Sequence, residues 1–212
     1  MKKTTILIGL IIILLPIVVH SQEFGLNFGL SNNILFPGQK NVNSNAGNIG
    51  TSAGIKFDGL FSTEGFLGYN IEAIFGQFSY TYFDAENNFR EFRFNEKNLY
   101  VPLNLTARMK FSDSGHWISY GFGPYVSFLI GQKGFSAASS SPFNNDSAGF
   151  ADRVNLGFSG EAKYFKMLNP GMGITLGVNF RSDLSNPLSE KNNILVAPGN
   201  SIGLVIGVFR KF

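Results

Sequence analysis

From Phe24 onward, apolar and polar residues alternate along most of the chain. The run from Leu99 to Phe111 is typical, because its odd-numbered residues are apolar and most of its even-numbered residues are polar. A period of two predicts β-strands with one apolar and one polar face, whereas an amphipathic helix would repeat every 3.6 residues. Eight such runs follow one another, at about residues 24–30, 49–58, 66–82, 99–111, 118–130, 154–164, 172–181 and 201–208.

The third run changes face within its length. Tyr69 and Phe75 share one parity, whereas Phe78 and Tyr80 have the other. One inserted residue in a strand produces such a switch, so the pattern predicts a β-bulge near Gly76. Eight strands, an even number, predict an all-β fold that closes into an antiparallel up-and-down barrel.

The residue types of the polar face decide between a soluble barrel and a membrane barrel. A soluble barrel exposes its polar face to water and fills it with charged residues. Here Gly, Ser, Asn and Thr dominate that face, and it holds roughly half of the 25 glycines, which suits the crowded interior of an eight-stranded barrel. The apolar face carries almost no charge, as contact with lipid requires. The sequence therefore predicts an eight-stranded antiparallel up-and-down transmembrane β-barrel.

The polar face also carries a few charges, and they are of both signs. The predicted lumen charge network consists of Lys56, Glu72, Arg108, Glu161, Lys163 and Arg181, and Asp58 and Lys110 share the same face. We expect these residues to form a salt-bridged plug, because an unpaired ion is costly to desolvate and eight strands leave no open channel. A proton or small-ion path and an occluded ligand site are the alternatives.

The links between the runs alternate in length. Residues 61–65, 112–115 and 167–170 form short turns, whereas residues 32–48, 84–93, 132–150 and 183–199 form long links rich in Asn, Ser and Gly. Outer-membrane barrels have short periplasmic turns and longer outside loops, so we expect both mature termini in the periplasm. Aromatic residues near the two boundaries predict two girdles. The predicted periplasmic girdle consists of Phe57, Phe66, Tyr69, Phe111, Trp117 and Tyr164. The predicted outer girdle consists of Phe78, Tyr80, Tyr82 and Phe94.

The first 21 residues have the features of a secretory signal peptide. Lys2 and Lys3 precede an apolar stretch, and Val19-His20-Ser21 resembles a cleavage site. The apolar stretch is short for a membrane-spanning helix, which is the alternative, and Pro16 interrupts it. The predicted organisation is a signal peptide over residues 1–21 and an outer-membrane barrel domain over residues 22–212.

Composition excludes several classes of function. The chain contains no cysteine, which excludes a disulfide scaffold, a thiolate metal site, a cysteine nucleophile and a lipidated N-terminal cysteine. The formal net charge is +3, and removal of Lys2 and Lys3 lowers it to +1. The sequence contains no cluster of basic residues, so it does not indicate a nucleic-acid partner.

Candidate catalytic chemistry is sparse. Most small outer-membrane enzymes use a histidine near the outer surface as a general base or as the partner of a carboxylate. His116, the one histidine of the mature chain, lies in a turn predicted on the periplasmic side, beside Asp113 and Ser114. The loop carboxylates lack the spacing of a calcium loop. We therefore expect no enzyme activity, no cofactor and no metal site.

The second long link is predicted to be a hairpin that protrudes above the membrane. Its flanking strands exceed the ~9–11 residues that a barrel strand needs to cross. Its tip alternates aromatic and charged residues, in the sequence Phe89-Arg90-Glu91-Phe92-Arg93. Phe89, Arg90, Phe92 and Arg93 are candidates for pairing with another chain through an exposed sheet edge, or for contact with lipopolysaccharide.

Three segments resemble a known family. Leu99-Tyr100-Val101-Pro102-Leu103 resembles the "L-x-[IV]-P-L" strand of the PorT-like outer-membrane β-barrel family, and Gly123-Pro124-Tyr125-Val126-Ser127 resembles its "G-P-Y-x-S" strand. Residues 153–157 lie where the family has "D-[FV]-G", although the Asp is missing. Phe212 resembles the terminal aromatic that serves as an assembly signal, with Arg210 where a second aromatic often stands.

The resemblance implies the outer membrane of a Gram-negative bacterium of the Bacteroidota type, and it implies no single activity. Asp146-Ser147-Ala148 also resembles an O-glycosylation acceptor of that group, with Ser147 as the modified residue.

The expected function is that of a non-enzymatic, monomeric outer-membrane barrel with a closed polar lumen and surface loops for binding or adhesion. Its expected partners are outer-membrane lipid, lipopolysaccharide and the outer-membrane assembly machinery. A surface protein is a further candidate partner. One alternative is an accessory subunit of an envelope protein export or assembly complex. Another is a soluble, lipocalin-like periplasmic binding barrel, and a third is an outer-membrane enzyme.

Overall fold

The computed structural model describes residues 22–35, 42–43, 48–61, 66–84, 90–112, 115–136, 139–144, 154–184 and 199–212. The predicted signal peptide lies outside these residues. The described part of the chain forms ten strands, which are β1 (Gln22–Leu35), β2 (Val42–Asn43), β3 (Asn48–Leu60), β4 (Leu67–Asp84), β5 (Arg90–Ser112), β6 (His116–Ser136), β7 (Ser139–Asn144), β8 (Val154–Asn169), β9 (Met172–Asp183) and β10 (Gly199–Lys211). Over the same residues, no helix is long and apolar enough to cross a membrane.

Eight of these strands form one closed antiparallel sheet. Around the barrel they follow the order β1, β3, β4, β5, β6, β8, β9 and β10, and the pairing of β10 with β1 closes the ring. The predicted eight-stranded antiparallel barrel is therefore confirmed. The two remaining strands are additions that the alternation did not predict, since the short β2 and β7 pair only with the far parts of β4 and β6.

The two ends of the barrel differ. Gln22 and Phe212 meet at one end, where the Phe212 amide donates a hydrogen bond of 3.0 Å to the Gln22 carbonyl. The strand ends that flank the three short turns lie at this same end, which we call the termini end, and the strand ends that flank the long links lie at the opposite end, the loop end. Gly115 lies in the turn between β5 and β6, and its φ of +74° is a left-handed value that residues with a Cβ rarely adopt.

The register sets the tilt of the strands. A path perpendicular to the strands leaves β5 at Leu99 and returns to β5 at Met109, through Phe75, Ala53, Phe28, Ile206, Leu176, Tyr164 and Ile118. This offset of ten residues (109 − 99) over eight strands corresponds to a tilt of about 40°. Such a tilt is typical of membrane barrels.

Glycines make room for the larger side chains of the interior. Gly157 lies directly opposite Tyr125 in the register of β8 and β6, and a Cβ at Gly157 would lie 2.4 Å from the Tyr125 ring. Gly173 and Phe209 form an equivalent pair, with 2.3 Å between the added Cβ and the ring. The glycine content of the polar face thus lets bulky residues fit a narrow lumen.

The prediction of a β-bulge near Gly76 is wrong. The pairing of β4 with β3 and with β5 continues without a shift through Gly76. The change in pattern marks instead the place where β4 leaves the apolar part of the wall, at the exposed Gln77. A register shift does occur on the far side of β5, where Ile130 is an extra residue of β6.

Three neighbouring strands are longer than the rest. β4, β5 and β6 contain 18, 23 and 21 residues, whereas β9 contains 12. Their pairing continues at the loop end as far as Asp84 with Arg90 and Phe92 with Ser136. One side of the barrel wall therefore continues into a sheet, which we call the projecting sheet.

Candidate functional site

The middle of the lumen contains a connected chain of charged and amide side chains. Lys56 lies 2.9 Å from the Asp58 carboxylate, and Asn70 donates hydrogen bonds of 2.8 Å to Asp58 and 3.3 Å to Glu72. Strands β3 and β4 bring these residues together, because their inward positions alternate with outward apolar positions. We call this set, with Glu161 and Lys163, the charged layer.

Lys163 occupies the centre of the charged layer. Its ammonium contacts the Glu72 carboxylate from across the barrel and lies 2.7 Å from Glu161, two residues earlier on β8. All three side chains are buried. Two carboxylates share this one cation, and Asn70 and Asn27 also stabilise the Glu72 carboxylate by donating hydrogen bonds to it.

A second ion pair lies near the termini end. Arg108 donates hydrogen bonds of 2.8 and 3.2 Å to the two carboxylate oxygens of Glu23, and Glu23 is 1% exposed. This fork geometry is the strongest form of the arginine–carboxylate contact. Sequence reasoning missed Glu23, although Glu23 has the same parity as Gly25 and Asn27 on the polar face of β1.

Three aromatic rings pack together in the lumen toward the termini end. Trp117, Phe165 and Phe209 form this lower cluster, with the Trp117 and Phe165 rings stacked at 5.1 Å. The Lys56 ammonium lies 4.2 Å from the centre of the Phe165 ring, so the lower cluster and the charged layer are in direct contact. The prediction that Trp117 belongs to the periplasmic girdle is wrong, since its side chain faces the lumen and is 8% exposed.

A second apolar group, the upper cluster, lies toward the loop end. Ile74, Tyr100 and Tyr125 form it. The Arg181 guanidinium lies 4.5 Å from the centre of the Tyr100 ring, and the Tyr125 hydroxyl donates a hydrogen bond to Asp183. Tyr100 and Tyr125 belong to the two segments that carry the family resemblance, so those segments meet here to fill the barrel.

The six residues of the predicted charge network thus occupy three places. Lys56, Glu72, Glu161 and Lys163 lie in the charged layer, Arg108 lies beside the lower cluster, and Arg181 lies beside the upper cluster. Lys110, on the same face by parity, is instead exposed at the termini end. From the termini end to the loop end, the lumen thus contains the lower cluster, the charged layer and the upper cluster.

The lumen of the described barrel is rich in polar contacts. Within the described residues, no group of three His, Cys, Asp or Glu side chains is arranged to hold a metal ion. Buried polar atoms such as Asn70 Oδ1, Thr106 Oγ1 and Trp117 Nε1 have no hydrogen-bond partner there. Such atoms are suited to binding water, so the lumen is a poor site for an apolar ligand.

The outer wall has the opposite character. Its outward side chains are apolar and between 39% and 68% exposed, and we call them the apolar belt; they include Phe24, Leu26, Phe28, Leu30, Ile55, Phe75, Leu103, Leu105, Met109, Tyr120, Phe122, Leu156, Phe158, Ile174, Leu176, Val178, Phe180, Leu204, Ile206 and Val208. Along β8 the outward positions from Leu156 to Tyr164, just before Lys166, cover eight residue steps, which correspond to a height of about 20 Å at this tilt. Such an exposed apolar area is far larger than that of soluble monomers.

The remaining predicted residues lie at the ends of the barrel. Phe212 is 71% exposed, and Arg210 lies 5.2 Å from its ring. His116 forms a hydrogen bond with the Tyr164 hydroxyl on the outer wall. Arg90, Phe92 and Arg93 lie in the projecting part of β5, and Phe89 and Ser147 lie outside the described residues.

Comparison with known proteins supports the fold. No protein-family model matches the chain, so membership of the PorT-like family stays a prediction. No curated protein matches it either. Among solved structures, the outer membrane protein OprG from Pseudomonas aeruginosa is 16% identical, with a TM-score of 0.52 over 92% of this chain and 97% of OprG. A major outer membrane protein from Thermus thermophilus is 11% identical, with a TM-score of 0.51 over 91% of this chain and 100% of that protein. The chain therefore has the fold of outer-membrane β-barrels of known structure.

Proposed function

We propose that this chain is an integral outer-membrane barrel whose lumen is closed and whose loop end carries any binding activity. One observation carries the proposal, namely the inverted polarity of the wall. In the described barrel wall, charges such as Lys56, Glu72 and Lys163 are buried inside, whereas the apolar belt faces outward. That distribution is stable in lipid, where the outer surface contacts acyl chains.

The same observation argues against a soluble, lipocalin-like barrel. A soluble barrel has its apolar face inside, where it fills the core or contacts an apolar ligand. Here Leu105 is 68% exposed, while its neighbours Asn104 and Thr106 are almost fully buried. In water this arrangement would expose the apolar belt and bury the charges.

The proposed orientation places the termini end in the periplasm. Its support is the contrast between the short turns at this end and the long links at the other, which matches the arrangement of outer-membrane barrels. A signal peptide over residues 1–21 would deliver the chain to that compartment. Phe212, exposed at the end of β10, would be accessible to the assembly machinery.

Cell fractionation followed by gel electrophoresis of heated and unheated samples tests the proposed location. We expect the protein in the outer-membrane fraction, with a mobility that changes on boiling, because a folded barrel resists detergent. Recovery in the soluble periplasmic fraction would contradict the proposal.

The proposed lumen conducts no ions. The lower cluster and the upper cluster lie on both sides of the charged layer, and Tyr125 and Phe165 are at most 2% exposed. Reconstituted into a planar bilayer, the native barrel should therefore give no stable conductance steps. Steady single-channel events from heat-modifiable, folded protein would show that the lumen is open.

The proposed function is not enzymatic. His116, the one histidine of residues 22–212, is bonded to Tyr164 on the outer wall rather than facing the lumen. A lipid hydrolase or acyltransferase assay on folded protein should give the rate of the boiled control. If turnover exceeds that of the boiled control and is lost in His116→Ala, the result would favour the alternative that the protein is an outer-membrane enzyme.

The projecting sheet supports a second candidate, a role in binding another surface protein. Among the described residues, β7 pairs with β6 along one edge, and its other edge has no strand partner in that part of the chain. Such an edge can pair with a strand of another chain. Purification in mild detergent tests this: a stoichiometric co-purifying protein, lost when residues 139–144 are replaced by a Gly/Ser linker, is the expected result. A barrel that purifies alone from cross-linked cells would argue against the partner.

A further inference from the structure

The charged residues exposed at the termini end are all basic in the described part of the chain. Lys110, Lys166, Arg210 and Lys211 form this group, which we call the basic arc. The acidic residues described near the same end are buried inside instead, since Glu23 pairs with Arg108 and Asp58 pairs with Lys56. Glu64 and Asp113, in two of the short turns, lie outside the described residues.

The basic arc occupies one side of the barrel. Its members lie on β5, β8 and β10, which belong to the five consecutive wall strands β5, β6, β8, β9 and β10. Lys166 of β8 lies directly opposite His116 of β6 in the register. Arg210 lies two strands away, opposite Met172 of β9. The strands β1, β3 and β4 contribute no described exposed charge at this level.

Exposed apolar side chains adjoin the basic arc. Leu168 follows Lys166 on β8, and Met172 and Phe212 lie next to Arg210, each at least half exposed. A molecule that fits this surface has a negatively charged head and an apolar body. Phospholipids with a net negative headgroup have that chemistry, and basic residues at a membrane surface attract them.

From this combination we infer that the basic arc is a binding surface for anionic phospholipid headgroups in the leaflet at the termini end. The inference rests on the proposed membrane location. The basic side chains contact the headgroup phosphate, while the neighbouring part of the apolar belt contacts the acyl chains. Because the arc is one-sided, bound anionic lipid should concentrate on the β5–β10 side of the barrel.

Native mass spectrometry of the folded barrel, mixed with equal amounts of phosphatidylglycerol and phosphatidylcholine, tests the inference. The native protein should retain phosphatidylglycerol preferentially. The double variant K166Q/R210Q should lose that preference by about fivefold for each basic residue removed. The matched control is K97Q, because Lys97 is also exposed on the outer wall but lies toward the loop end; it should keep the native preference.

Three results would overturn the inference. They are equal retention of both lipids by the native protein, an equal loss of preference in K97Q, and displacement of phosphatidylglycerol by millimolar inorganic phosphate, which would indicate a site for the free anion. A heat-dependent mobility shift of each variant shows that it is folded. Folded, membrane-bound protein without lipid preference would leave the proposed location intact, whereas protein that fractionates as soluble would contradict that location itself.

Discussion

Single glycines determine how closely the strands pack around the interior side chains. Gly157 is the clearest case, because an added Cβ would lie 2.4 Å from both the Tyr125 ring and the Ser182 carbonyl oxygen. Gly160, three residues later on the same strand, has its nearest neighbours at 3.8 Å. Two glycines on one strand therefore differ in what a methyl group would cost.

Gly157→Ala should destabilise the barrel by about 1–3 kcal/mol, because either the Tyr125 ring or the backbone of β9 must move. The matched control Gly160→Ala should change the free energy of unfolding by less than about 0.5 kcal/mol. Urea titration of both variants in lipid vesicles measures the difference. Equal stabilities would show that the interior tolerates a larger residue at Gly157.

Lys163 is the residue on which the charged layer most depends. Lys163→Met should destabilise the protein by about 3–5 kcal/mol, since it leaves Glu72 and Glu161 buried without their cation. The triple variant Lys163→Met, Glu72→Gln, Glu161→Gln should recover most of that loss, because no uncompensated charge remains. If the triple variant is as unstable as the single one, packing rather than charge explains the effect.

Along each strand, alternation is enough to predict which residues face in and which face out. Lys163 and Tyr164 illustrate this, because the first is buried and the second is on the outer wall. The same rule also applies to the lower cluster. Trp117, Phe165 and Phe209 all have the parity of polar neighbours such as Ser119 and Lys163, although the aromatic character of Trp117 favours a girdle position.

Other features of the strands had no signal in the sequence. The extra residue Ile130 in β6 and the short strands β2 and β7 depend on pairing between strands, which one sequence does not encode locally. The contact of Glu72 with Lys163 joins residues 91 positions apart. Parity places both residues inside, but only the register of the closed barrel brings them together.

The apolar belt leads to a prediction about depth along a strand. Ile206→Arg, near the middle of the belt on β10, should destabilise the barrel in vesicles by about 2–4 kcal/mol. Asn32→Arg, on the outer wall toward the loop end, should cost only about 0–1 kcal/mol. Refolding yield and urea titration in the same vesicles compare them, and equal costs would place Ile206 in water rather than in lipid.

Taken as a whole, the molecule is a polar interior inside an apolar wall. The closed sheet gives each of the eight wall strands a paired neighbour on both sides, and a sheet without free edges is a requirement in lipid. The lower cluster, the charged layer and the upper cluster fill the lumen. The features left for recognition are the loop end, the projecting sheet and the basic arc.

Spin labels on β5 test the inverted polarity most directly, because the chain has no cysteine of its own. Single cysteines at Leu103, Asn104, Leu105 and Thr106, labelled in vesicle-reconstituted protein, should alternate in their collision rate with oxygen. The labels at Leu103 and Leu105 should collide often with oxygen and rarely with a water-soluble nickel complex, as lipid-facing positions do. Frequent collision of those two labels with the nickel complex would place the apolar belt in water and contradict a membrane barrel.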